Sequence, residues 1–278
     1  MRDAGDTHRL PAETYLTALE RETRRFREVL ADAPSGAEVP SCPDWDVEDL
    51  LWHLGGEVQA FWAYVVAVRP EAPHDWEEPD RPDGRSALLD VLDRSHEDLV
   101  RRLRGAHPTD PAWSWADDPR LHTVGFTMRR QAHEALIHRV DAELATGQRT
   151  PLDPQLATDG VVECLEWMYG EHPAWGSFDD DGRRVVIETT DTGRRVLIAL
   201  GRTSGHDPEE GVDVDEDDLR VLDVDLEVDA GGADVTITGP AEGLDLWLWH
   251  RGPAEPLTMT GDPQVLDDLT AILGQPID

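Results

Sequence analysis

Near residue 175 the apolar residues of this chain change their period, and that change limits what the chain can fold into. Before it they recur three and four residues apart, as on one face of a helix; after it they tend to alternate, as in strands. Residues 11–31 carry Tyr15, Leu16, Leu19, Phe26, Val29 and Leu30 at helical spacing. Residues 47–68 carry Leu50, Leu51, Leu54, Val58, Phe61, Trp62 and Val65 behind Asp46, an N-cap residue. Residues 86–103 carry Leu88, Leu89, Leu92, Leu99 and Leu103, with Ser86 as the expected cap. A fourth helix over 126–146 stops at Gly147, and a fifth runs over about 154–169. Four long amphipathic helices with one extra predict a bundle. The Pro- and Asp-rich residues 70–84 read as a loop.

Beyond residue 175, RVVIE (184–188) and RVLIAL (195–200) read as strands joined by a turn over 189–194. Residues 221–228 alternate, with Val221, Leu226 and Val228 apolar, and 233–238 form another strand. A helix over 239–250, a strand-like LTMTG and a helix over 263–273 complete the chain. The class is α+β. The expected domains are 1–174 and 175–278, with a linker over 171–182.

The 278 residues carry a formal charge of −34, and all 25 basic residues are arginine. Residues 1–174 hold 34 acids against 18 arginines; the shorter remainder holds 25 against 7, so the excess is densest there. Phosphate neutralisation needs basic patches, so nucleic acid is excluded as a partner, and so are anionic lipid surfaces. No apolar run approaches the length of a membrane span, and MRDAGDTHRL has no apolar signal core. Cys42 and Cys164 cannot build a disulfide framework. These features point to a soluble, cytoplasmic protein. Residues 207–218 hold eight carboxylates and no arginine, without the glycine and glutamate positions of a calcium loop. They are expected to form a solvated, partly disordered loop.

The chemistry concentrates in RRQAHEALIHRVDAE, residues 129–143. At about 100° per residue, Glu134 and His138 lie about 40° apart on one helix face, and Asp141 lies about 20° from Glu134. His133 points about 140° away from His138, so this is not the zincin arrangement of two histidines on one face. His53, inside the apolar stretch LLWHLGG, offers a second imidazole. Two imidazoles and a carboxylate from neighbouring helices would make a three-ligand site with an open position, suited to zinc or another divalent ion. The bland alternatives are a core histidine at 53, and a Glu134 that pairs with Arg129, Arg130 or Arg139 instead of a metal.

Cys42-Pro43-Asp44-Trp45-Asp46-Val47, followed by Leu50 and His53-Leu54, resembles the start of the second helix in the mycothiol-dependent maleylpyruvate isomerase N-terminal family, a branch of the DinB-like metalloenzyme bundles. The helix Glu134-x-x-x-His138, running on as Arg139-Val140-Asp141-Ala142-Glu143, resembles that family too. The resemblance covers about the first 170 residues. More weakly, LDLWLWHRGP and LTMTGD are similar to the small sterol-carrier-like α+β domain that accompanies such bundles. The resemblance implies that His53, Glu134 and His138 are the metal ligands, that the metal is zinc, and that mycothiol is the thiol. It implies a thiolate that adds to a small electrophilic substrate, ending in isomerisation or in S-transfer. Asp141 and Glu57 become candidates for holding the ligands in place. Arg251 is the candidate cation for an acidic substrate. Trp45, Trp52, Trp62, Trp113, Trp115 and Trp167 read chiefly as packing. Cys42 and Cys164 carry no catalytic role. The competing reading is a non-catalytic metal-binding bundle with a C-terminal domain that binds a small ligand. Oligomeric state is not readable.

Overall fold

Leu16, Leu19, Phe26, Val29 and Leu30 recur on one side of a helix, and that side is buried in α1, Ala12–Ala31. The structure is a computed structural model that describes residues 9–224, 232–275 and 277. A short antiparallel pair follows, β1 (Glu38–Val39) and β2 (Cys42–Asp46). Asp46 ends β2 and caps α2, Val47–Trp52. Its carboxylate accepts from the N–H groups of Glu48 and Asp49, and the Asp49 carboxylate accepts from the Asp46 N–H. That reciprocal bonding satisfies helix-start donors that would otherwise be orphaned.

The single helix expected over 47–68 is wound differently at its centre. Residues His53–Gln59 form a π-helical segment between α2 and α3, Ala60–Val68. Gly55 and Gly56 sit inside it, against a neighbouring helix and against Trp52. A Cβ on Gly55 would lie 2.9 Å from Leu92 Cα, and one on Gly56 2.4 Å from the Trp52 ring. The missing side chains therefore let this wider turn press on α4, Arg85–Arg104. Ser86 does not cap α4: the helix begins one residue earlier, after Gly84 at φ 85°, with no side-chain cap.

α5, Val124–Thr146, starts at Thr123, whose hydroxyl accepts from the Phe126 N–H, and stops at left-handed Gly147. It is buried on nearly every side, charged residues included. Arg139 shows how. Its Nε lies 2.8 Å from Glu22 Oε2 on α1, and its Nη1 lies 3.0 Å from Glu143 Oε2. Arg25 Nε reaches the other Glu143 oxygen at 2.8 Å. Burial of these charges is tolerated because each is paired and hydrogen-bonded.

The chain divides into two compact units, one over Leu10–Thr150 and one built on Pro151–Asp278. The first is the helical bundle. The second begins with α6, Pro154–Glu163, capped by Asp153, and a π-helical turn, Cys164–Tyr169. Its sheet contains β3 (Gly176–Thr189), β4 (Arg195–Asp207), β5 (Val212–Val224), β6 (Val235–Gly239) and β7 (Thr258–Gly261). The strand order is β5-β4-β3-β6-β7, with β3 and β6 parallel and the other neighbours antiparallel. α7 (Ala241–Leu248) and α8 (Pro263–Leu273) complete the unit, and α6 packs on α7. The class is therefore α+β.

Two sequence expectations change here. The segment read as a linker over 171–182 already belongs to β3 from Gly176 onward. The acidic residues 207–218 are not a disordered loop. They form the end of a β4–β5 hairpin, with His206 opposite Asp213 and Asp207 opposite Val212. A strand ladder is made by backbone groups and is indifferent to side-chain charge. Arg202 offsets the repulsion by reaching Asp215 at 2.9 Å and Asp217 at 2.6 Å. The strand read over 221–228 is confirmed as far as Val224; residues 225–228 lie outside the described residues, as do residues 1–8. Among the described residues, no helix is long and apolar enough to cross a membrane.

Candidate metal centre

Three side chains from two helices meet inside the bundle. His53 opens the π-helical segment, and Glu134 and His138 lie one turn apart on α5. One ligand atom from each lies within 4.8 Å of the other two. His138 Nε2 is 3.1 Å from Glu134 Oε1, and His53 Nε2 is 3.8 Å from the same oxygen. Ligands bound to zinc at about 2.0–2.1 Å and at tetrahedral angles stand about 3.3 Å apart. The spacings bracket that value, and the donor set of two imidazole nitrogens and one carboxylate oxygen suits a divalent ion with an open position.

The far side of each imidazole is also held. His53 Nδ1 donates to Glu57 Oε2 at 2.8 Å, and His138 Nδ1 donates to Asp141 Oδ2 at 3.0 Å. These bonds fix each ring's tautomer and leave both Nε2 atoms to face Glu134. Ser41 Oγ in turn donates to Asp141 Oδ1 at 2.5 Å. Asp141 is fully buried and thus bonded on both oxygens. Trp45 leans on the His53 ring, centroids 4.8 Å apart at 47°, and His138 meets His53 edge-on at 4.8 Å.

The electrostatics favour a cation. Burial alone would raise the Glu134 carboxyl; hydrogen bonds from His138 and His53 and the charge of Arg130 instead hold it well below its usual range. Burial opposes protonation of His138, but its bonds to Asp141 and Glu134 outweigh that and push it up to about 9. A surrounding that attracts a proton so strongly attracts a metal ion by the same Coulomb interaction.

Of the sequence candidates, the fold gathers His53, Glu134, His138, Asp141 and Glu57 in one place. Of the three possible arginine partners, Arg130 meets Glu134, Nη2 to Oε2 at 2.6 Å, and leaves Oε1 towards the histidines. His133 is buried away from the cluster against Tyr15, centroids 6.3 Å apart. Arg251 belongs to the other unit. It follows left-handed His250 at the end of α7, where its N–H bonds the Leu246 carbonyl and its Nη1 the Trp249 carbonyl. Ser41 and the position of Trp45 are not legible in the sequence. Both precede α2 in an irregular hairpin, where no periodicity tells which way a side chain points.

Residues 16–143 match the family described as the mycothiol maleylpyruvate isomerase N-terminal domain. No curated protein matches the chain. Among solved structures, the fold is similar to that of the mycothiol-dependent maleylpyruvate isomerase, with a TM-score of 0.54 and 14% identity over 90% of this chain and 93% of that one. A histidine-to-alanine variant of that isomerase is similar at a TM-score of 0.53, with the same identity and coverage. The match in fold spans both units, whereas the sequence match is confined to the bundle that holds the three candidate ligands. Residues 16–143 are thus similar in sequence to the mycothiol maleylpyruvate isomerase N-terminal domain family.

Proposed function

We propose that this protein is a metal-dependent enzyme that uses a low-molecular-weight thiol, mycothiol, to act on a small electrophile, by isomerisation like that of the maleylpyruvate isomerases or by S-transfer. The observation that carries the reading is the paired orientation of two Nε2 atoms and one carboxylate oxygen. Both imidazoles are held from behind by carboxylates, as metal-ligating histidines typically are. His53, Glu134 and His138 would hold the metal, zinc in this reading.

When bound, the metal supplies a positive charge that favours the thiolate, the nucleophilic form of the thiol. The chain's own residues do the rest. Glu57 and Asp141 hold the Nδ1 side of each imidazole and so turn both Nε2 atoms towards Glu134. Arg130 engages one Glu134 oxygen and so presents the other as a single donor. Trp45 walls one side of His53 and restricts what can approach it. Recognition of an anionic substrate is assigned to Arg251 on charge alone, because the C-terminal residues offer few arginines.

The test is elemental analysis of untagged protein, followed by cobalt substitution and a screen of mycothiol with small electrophiles. Bound divalent metal, a cobalt spectrum that changes on adding thiol, and thiol-dependent turnover are expected. Glu134→Ala should lose the metal and keep its helical circular dichroism. Protein that takes up no divalent metal after reconstitution overturns the reading. A metal spectrum indifferent to thiol marks a closed structural site. For Arg251→Ala, a raised KM for anionic substrates is expected, and an unchanged KM removes that assignment.

A further inference from the structure

We propose that the groove between α3, α4 and residues 70–84 is a second ligand site, one that takes a small organic cation with an apolar body. The groove holds about 650 Å³. Small-molecule sites run to roughly 300–1,000 Å³, so it is large enough for such a ligand. His53, Glu134 and His138 do not line it, which separates it from the metal centre.

Its floor follows from side-chain size. Ala60, Ala63 and Ala67 recur three and four residues apart on α3, and the side of α4 that shares the groove presents Ala87 and Val91. Small residues facing each other leave space where larger ones would have closed the helix pair. One wall is aromatic. Trp76 leans on Tyr64, centroids 5.4 Å apart at 48°, and meets Phe61 edge-on at 5.6 Å. These two contacts hold the indole in place although it comes from an irregular segment. An indole face attracts a cation within about 6 Å of its centroid.

The charge at the rim selects the ligand's sign. The lining includes the carboxylates of Glu77, Asp80, Asp90 and Asp98 against the guanidiniums of Arg94 and Arg102. Arg102 is already committed to Asp98, Nε to Oδ2 at 2.8 Å. Glu77 and Asp80 have no ion-pair partner among the described residues and stand exposed beside Trp76. An apolar floor, an aromatic wall and two uncommitted carboxylates are the features that recognise a substituted ammonium group.

Calorimetric titration of the full-length, metal-loaded protein with benzyltrimethylammonium, benzoate and benzyl alcohol, each at physiological salt, tests this. The ammonium probe should bind saturably to one site, and the other two should not. The double variant Glu77→Gln/Asp80→Asn, altered only at exposed positions, should weaken it about tenfold through the loss of two negative charges at the rim. Trp76→Ala should abolish binding, and Trp76→Phe should retain it. Equal affinity for all three probes, no saturable binding of the ammonium, or an unchanged affinity in the double variant overturns the proposal. Full binding by Trp76→Ala also overturns it, because attraction to a highly acidic surface would then suffice.

Discussion

Arg130 Nη2 lies 2.6 Å from Oε2 of Glu134, one helical turn further along α5. The bond occupies one carboxylate oxygen and leaves the other 3.1 Å from His138 Nε2 and 3.8 Å from His53 Nε2. Groups that orient a metal ligand typically change affinity by about 10–100-fold when removed. Arg130→Met keeps the volume of the stem and deletes the guanidinium. Its metal affinity is expected to fall within that range in a chelator competition, with unchanged far-UV circular dichroism. An affinity equal to wild type would show that Glu134 needs no such partner.

Gly55 lies two residues after His53, where the π-wound turn touches α4. Alanine there would bring its Cβ to 2.9 Å from Leu92 Cα and 3.1 Å from Leu92 N. Both are backbone atoms, so no side-chain rotation relieves the clash. Overpacking of this kind costs about 1–3 kcal/mol. Gly55→Ala should lower the urea midpoint accordingly and weaken metal binding through the displacement of His53. Wild-type stability would mean that α4 moves away freely.

Arg139 is buried between Glu22 and Glu143, and its removal takes away the fully buried cation they share, leaving Glu22 to the exposed Arg21 and Glu143 to Arg25 and Thr150. Breaking a buried pair from one side costs about 3–5 kcal/mol. Arg139→Met should therefore be among the most destabilising single substitutions in the bundle, measured by urea unfolding. Arg25→Met removes a half-exposed partner of Glu143 and should cost about 1 kcal/mol or less, because exposed pairs are screened. Similar losses in the two variants would contradict this ranking.

Asp245 on α7 is fully buried, and neither carboxyl oxygen has a hydrogen-bond partner among the described residues. Burial, with the nearby charges of Glu163, Asp159 and Glu242, holds its carboxyl well above the usual range. The folded state therefore keeps a proton that the unfolded chain releases at an ordinary aspartate value. By linkage, stability is greatest below that ordinary value and falls as pH rises towards the raised one. Asp245→Asn removes the titration. The variant's Tm should exceed that of wild type at pH 8 by more than at pH 5, as measured by calorimetry. Parallel pH profiles for the two proteins would show that Asp245 does not titrate in this way.

Much of this protein is decided by local rules that operate within a few residues. Helical spacing alone places Glu134, His138 and Asp141 on one face, because the turn per residue is set by backbone geometry. Asp46 and Gly147 mark helix ends through hydrogen bonds and φ values that are also local. The change of period near residue 175 announces the α+β class for the same reason. What lies across the fold is different. No spacing fixes how far His53 stands from Glu134, about 80 residues later; in the sequence that pairing is a candidate favoured by a family resemblance, and only helix packing brings the atoms together. Arg129, Arg130 and Arg139 are equivalent candidates in the sequence, and packing alone gives Glu134 to Arg130 and commits Arg139 to Glu22 and Glu143. The acidic residues 207–218 look unable to order themselves, yet pairing with β4 gives their backbone a ladder and places Arg202 across from them. Local geometry determines which side chains are available on each face; tertiary contact determines which of them meet.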